Sequence, residues 1–280
     1  MNAIPVKEGT WRSARSGHEL WYRCWQPNPA RHTLVIVHGF GEHGGRYASL
    51  AAELAQAGLC VATIDLWGHG RSSGSRGALE VAGCVADLSE LTAEAILPLT
   101  GHQRFTIFGH SFGGLVAIWW ALHHPDRLQH LVAQSPLLEV GFPIPPWKTA
   151  LGRAFGVVWP SFSLSMDLDV SALSHDPSVA AAYRADPLVH NTMTAGAYRS
   201  ILSTRDEVMA RAGEFTVPVL LLLGSADHVV SVEMAQQWFD RLRCQKRSVV
   251  FPDAYHELHH EGVRVEVLRL TREWVTHEPR

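Results

Sequence analysis

Ser111 lies in Gly109-His110-Ser111-Phe112-Gly113, between two apolar runs at 105–108 and 115–122. A buried strand that turns at once into a helix forces the turn residue into a strained backbone. That strain holds the side chain out at the carboxyl end of the strand. Glycines flank such a turn because a Cβ on either side would strike the adjacent chain. The context predicts a nucleophile elbow with Ser111 as the nucleophile. A second G-x-S-x-G, Gly70-Arg71-Ser72-Ser73-Gly74, is separated from the preceding strand and is not followed by an apolar helix. It reads as a loop.

A serine hydroxyl attacks poorly unless a base takes its proton. On a strand–turn–helix elbow the partners follow in the chain order serine, acid, histidine. Asp227 follows the apolar run 217–223 through Gly224-Ser225-Ala226, which makes it the expected acid. Its alternative role is to cap a helix beginning near Ser231. His256 follows the run 247–251 and is the expected base. His259 and His260 are rivals, but His256 needs the shortest loop to reach Ser111. Two backbone N–H groups must stabilise the oxyanion. The expected donors are Phe112, after the nucleophile, and Phe40, in the loop His38-Gly39-Phe40-Gly41.

His256-Glu257-Leu258-His259-His260 also matches H-E-x-x-H, in which two histidines on one helix face bind zinc. That reading needs a helical turn before His256, and Pro252 leaves little room for one. It also leaves the elbow, Asp227 and the His38–Gly41 loop without a role. Serine chemistry, with no cofactor and no metal, is the expectation.

These groups need a scaffold that brings several strand ends together. Strands are predicted at 10–15 and 18–25, a hairpin about Ser16-Gly17, and then at 33–37, 59–64, 105–108, 128–133, 217–223 and 247–251. Helices are predicted at 46–57, 81–97 (ending before Pro98), 112–123, 232–242 and 263–275. Strands alternating with helices imply a mostly parallel sheet flanked by helices, with reactive groups beyond the strand carboxyl ends. Residues 138–213 break the alternation. Between 138 and 166 only Glu139, Lys148 and Arg153 are charged, against Phe142, Trp147, Phe155, Trp159 and Phe162. This stretch is expected to be a cap inserted between core segments 1–137 and 214–280, roofing the site and lining an acyl-chain pocket.

Bulk properties exclude other classes. At 280 residues, 46% hydrophobic and 18% charged, the chain can bury a large core. A net charge of -3 gives no nucleic-acid footprint. Cys24, Cys60, Cys84 and Cys244 are scattered without a C-x-x-C, so reduced thiols and a cytoplasmic setting are expected. The first nine residues lack the apolar stretch of a signal peptide, and no run approaches the roughly 20 apolar residues of a membrane span. Any membrane contact would be peripheral, through the apolar cap. The oligomeric state is not legible.

The chain resembles the monoglyceride lipase and lysophospholipase (serine aminopeptidase S33-like) group of the α/β-hydrolase superfamily. The resemblance rests on His38-Gly39-Phe40-Gly41-Glu42-His43, Asp65-Leu66-Trp67-Gly68-His69-Gly70-Arg71-Ser72-Ser73-Gly74, Gly109-His110-Ser111-Phe112-Gly113-Gly114, Asp186-Pro187-Leu188, Gly224-Ser225-Ala226-Asp227 and Tyr255-His256-Glu257-Leu258-His259. It implies an α/β-hydrolase fold, the triad Ser111, Asp227 and His256, and glycerol or lysophospholipid esters as substrates. Trp67 and the bulky Phe40 depart from the group's pattern, and Phe40 would narrow the site. The expected activity is hydrolysis of single-chain lipid esters, monoacylglycerol first. The alternatives are lysophospholipase, short- or medium-chain esterase, acyl transfer to another alcohol, amide cleavage, or a non-catalytic binder on a hydrolase scaffold.

Overall fold

The computed structural model describes residues 4–142, 146–166 and 168–276; the first three residues of the N-terminal segment lie outside these. In chain order the main elements are β1 (Val6–Arg12), β2 (Glu19–Trp25), β3 (His32–Val37), α1 (Ala48–Gln56), β4 (Leu59–Ile64), α2 (Val81–Leu91), α3 (Leu97–Thr100), β5 (Phe105–His110), α4 (Phe112–His123) and β6 (Leu128–Gln134). They continue with α5 (Pro146–Val158), β7 (Ser163–Ser165), α6 (Pro177–Ala185), β8 (Thr192–Thr194), α7 (Ala195–Ala210), β9 (Val219–Gly224), α8 (Val232–Arg241), β10 (Lys246–Phe251) and α9 (Arg264–Thr276).

Eight strands form one sheet in the order β1-β2-β4-β3-β5-β6-β9-β10. The pairs β1·β2 and β2·β4 are antiparallel, and every pair from β4 to β10 is parallel. Central parallel strands are buried on both faces, so they read as unbroken apolar runs. In β3, Val35 and Val37 pack on the face carrying Leu88 of α2, Trp120 of α4 and Ile201 of α7. Leu34 and Ile36 pack on the other face with Leu50 and Leu54 of α1 and Val267 and Trp274 of α9. One strand thus feeds two cores, as its two-residue side-chain period requires.

Three sequence expectations are corrected. The hairpin pairs Arg12 with Glu19, so its first strand lies earlier in the chain and residues 13–18 form the turn. There the backbone amide of Ser13 bonds to His18 O at 2.9 Å. The helix expected to run unbroken over 81–97 and stop before Pro98 instead ends at Leu91. A π-helical stretch, Thr92–Ile96, follows α2, and Pro98 falls in the first turn of α3. A first-turn proline costs little because its missing N–H would have had no helical partner. Gly101, at φ 72°, ends the run. The turn ahead of α1, Gly44–Tyr47, is a 3-10 helix, so α1 starts later than expected.

Between β6 and β9 the chain leaves the sheet for α5, the two-stranded β7·β8 ribbon, α6 and α7. Two contacts tie this excursion to the loop after β3. His43 Nε2 lies 2.9 Å from Asp186 Oδ2, and His190 N donates to Gly41 O at 2.8 Å.

Candidate active site

Ser111 joins β5 to α4 with φ 52° and ψ -118°, a conformation that costs an L-residue energy. Close packing imposes it. A Cβ on Gly109 would come within 2.3 Å of Gly113 O, and one on Gly113 within 2.2 Å of Val37 O. The apolar run behind the serine is buried from Phe112 through Ala121 except at Trp119, which anchors the turn. Among the described residues the Ser111 hydroxyl has no hydrogen-bond partner, while its backbone N and O are both bonded.

Asp227 and His256 meet beyond the ends of β9 and β10. His256 Nδ1 lies 2.7 Å from Asp227 Oδ2, with side chains 3% and 0% exposed. Asp227 Oδ1 accepts from Val229 N at 2.8 Å and Val230 N at 3.0 Å. Burial pushes the Asp227 carboxyl up, but the His256 imidazole and these N–H groups outweigh it and hold it below the ordinary carboxylate value. Burial pulls His256 down, yet the Asp227 carboxylate raises it above an ordinary histidine. With a proton on Nδ1 facing Asp227, the neutral ring carries its lone pair on Nε2. The helix cap that was the alternative for Asp227 is supplied by Ser231, which accepts from Met234 N at 3.1 Å.

The two halves of the site are adjacent. The rings of His110, next to Ser111, and His256 are 4.6 Å apart between centroids. The loop after β3 closes the other side: a Cβ on Gly39 would sit 3.3 Å from Ser111 Cβ. Gly39 N is taken by Glu42 Oε1 at 2.6 Å, and the Phe40 amide follows it in the chain. Phe112 occupies the first helical position of α4, whose N–H a helix leaves unpaired. Phe112 follows Ser111, Phe40 follows Gly39, and the two rings meet edge-on at 5.5 Å.

The rival histidines have other partners. His259 stacks on Tyr47 at 4.6 Å and its Nδ1 lies 2.8 Å from the Gln134 amide nitrogen. His260 Nε2 lies 4.0 Å from Glu257 Oε2. His256 precedes the 3-10 turn Leu258–His260, so the H-E-x-x-H residues do not share an α-helical face. Glu257, His259 and His260 do converge, but Arg46 holds both Glu257 oxygens, at 2.6 and 2.7 Å. Ser72 of the second G-x-S-x-G is structural: it donates to Asp65 O at 2.5 Å and accepts from Trp21 N at 2.8 Å.

Sequence reasoning missed a buried ion-pair cluster. Arg46 pairs with Glu42 as well as Glu257, and its guanidinium lies 4.8 Å from the Tyr183 ring centre in α6. One side chain therefore joins the segment after β3, the loop after β10 and the excursion. Burial would raise Glu42, but the Arg46 charge overrides it and holds the carboxyl well below its usual range. The i,i+4 spacing of Glu42 and Arg46 was the one local signal.

Residues 28–262 match the family described as "Serine aminopeptidase, S33". The chain belongs to this hydrolase family. It is 30% identical to a monoacylglycerol lipase of Mycolicibacterium smegmatis over 92% of this chain and 93% of that protein. It is 32% identical to an uncharacterised abhydrolase domain-containing protein of Dictyostelium discoideum, over 91% of this chain and 27% of that longer protein. Among solved structures, the Paleococcus ferrophilus monoacylglycerol lipase shares 31% identity and a TM-score of 0.83, with 97% of this chain and 98% of that chain covered. The family is one of α/β-hydrolases, and the parallel sheet, elbow and late strand-end loops are this fold's arrangement.

Proposed function

We propose that the chain is a serine carboxylester hydrolase that cleaves monoacylglycerols to fatty acid and glycerol. The observation that carries this is the buried Asp227–His256 pair beside a strained, partly exposed Ser111. The relatives and the solved structure that are monoacylglycerol lipases support the substrate class.

In this reading Ser111 Oγ attacks the ester carbonyl and His256 Nε2 takes its proton. Asp227 fixes the imidazole tautomer and steadies the imidazolium. The Phe40 and Phe112 amides hold the oxyanion; losing one such donor costs about 3 kcal/mol of barrier. The tetrahedral centre collapses, His256 protonates the departing glycerol oxygen, and an ester remains on Ser111. Water, deprotonated by His256, then releases the fatty acid and restores the serine. The cycle uses no cofactor.

Residues 138–213 act as a cap over this site in the same reading. Support comes from their links to the loop after β3, His43 to Asp186 and His190 to Gly41. The segment also exposes Phe142, Trp147, Val157, Val158 and Trp159, each at least 50% accessible. Such a concentration of apolar surface suits the headgroup layer of a lipid bilayer, from which single-chain esters would enter.

The test is hydrolysis of p-nitrophenyl esters of rising chain length, with 1-monooleoylglycerol and lysophosphatidylcholine alongside. The expected result is a medium- or long-chain optimum and faster turnover of the monoacylglycerol. A preference for acetate would remove the lipid reading, and faster turnover of lysophosphatidylcholine would reassign the substrate.

A further inference from the structure

Ser135, one strand away, shares a positive φ with Ser111. It follows β6 as Ser111 follows β5, and these parallel neighbours are in register, with His110 opposite Gln134. Its φ is 44°, in the left-handed region that L-residues rarely enter. It is also fully buried. A serine kept in that conformation, where glycine would be unstrained, needs a compensating contact. Two hold it: Ser135 N donates to Leu222 O at 2.9 Å, and its hydroxyl donates to His256 O at 3.1 Å.

The neighbouring residues grip the other half of the site. Gln134 O accepts from Ser111 N at 3.1 Å, and Leu137 N donates to Ser111 O at 2.8 Å. The Gln134 amide nitrogen lies 2.9 Å from His110 Nδ1 and 2.8 Å from His259 Nδ1. Burial drives both imidazoles neutral, His110 to about 3, so both Nδ1 atoms can accept from the two amide N–H bonds. Residues 134–137 therefore hold the elbow by its backbone and the histidine loop at His256 and His259.

We propose that Ser135, backed by Gln134, is a positioning residue that sets the His256 backbone relative to Ser111. This rests on the hydrolase reading above. The hydroxyl touches no reacting atom; it acts through the His256 carbonyl. A displacement of about 1 Å between base and nucleophile can cost on the order of a hundredfold in rate.

The test compares Ser135→Gly, Ser135→Ala and Ser111→Ala with the full-length wild-type chain. kcat and KM are measured on a p-nitrophenyl ester, with the rate of Ser111 phosphonylation and the Tm. Glycine removes the hydroxyl and the strain together, so this variant folds even if alanine does not. Ser135→Gly is expected to lose about ten- to a hundredfold in kcat and in phosphonylation rate. Its KM should stay within about twofold and its Tm within about 4 °C of wild type. Wild-type kcat in Ser135→Gly, with an inactive Ser111→Ala, would overturn the positioning role and leave the hydrolase reading intact. Parallel loss of Tm and rise of KM would overturn it too, by making the contact merely structural. Full turnover by Ser111→Ala would remove the hydrolase reading, and the positioning role with it.

Discussion

His256 Nδ1 and Asp227 Oδ2 are 2.7 Å apart in a pocket that shuts out water from both side chains. The pairing raises the histidine pKa above its ordinary value. His256 must be neutral to accept a proton, so kcat/KM should fall as pH drops through that raised value. The acid limb therefore lies above about 6.5. In Asp227→Asn the carboxylate is gone while burial remains, which favours the neutral imidazole. A pH–rate profile should show the acid limb moved to lower pH and kcat reduced by about four orders of magnitude.

Arg46 stands between two buried carboxylates, Glu42 and Glu257, with its own side chain 9% exposed. Removing it strands two negative charges away from water. Arg46→Met should lose about 3–5 kcal/mol of stability, the usual cost of breaking a buried pair from one side. Neutralising all three positions, as Glu42→Gln, Arg46→Met and Glu257→Gln together, should recover most of that loss. Urea unfolding midpoints of the two variants check this.

Phe40 packs edge-on against Phe112 at 5.5 Å and His69 at 5.1 Å. Its proposed contribution to the oxyanion site is a backbone amide, which a side-chain substitution leaves in place. Phe40→Ala should therefore keep turnover of short esters within about threefold, far less than the loss of an oxyanion donor. The vacated space should move the chain-length optimum toward longer acyl groups. The p-nitrophenyl ester series reads both effects.

Trp147 and Trp159 are 64% and 55% exposed on the excursion between β6 and β9. Burying a large apolar side chain contributes about 2 kcal/mol. The double variant Trp147→Ser and Trp159→Ser should bind phosphatidylcholine vesicles more than tenfold more weakly in co-sedimentation. Its kcat on a soluble short ester should be unchanged, because both side chains are more than half exposed.

The parts of the site that were legible in the sequence are local ones. Ser111 stood out as a candidate through a strand, two glycines and an apolar helix, all within a short stretch. Asp227 and His256 were candidates because chain order and strand ends limit where partners can lie, and the fold brings those two side chains into contact. Glu257 and Arg46 are 211 residues apart, and no period or turn signal connects them. Gln134 and Ser135 looked like the ordinary end of a buried strand; the positive φ of Ser135 exists only in the folded chain. The helix boundary at Pro98 was misread because a proline stops a continuing helix yet suits the first turn of a new one. The hairpin register slipped because Ser16-Gly17 resembled a two-residue turn, whereas the loop closes over residues 13–18.

The central claim is that Ser111 is a nucleophile activated by His256. Peptide mass mapping after fluorophosphonate treatment of the folded protein tests it most directly, with His256→Ala treated in parallel. One adduct is predicted, on Ser111, formed several orders of magnitude more slowly in His256→Ala. An active protein that takes no adduct, or takes it elsewhere while a chelator abolishes turnover, would contradict the account.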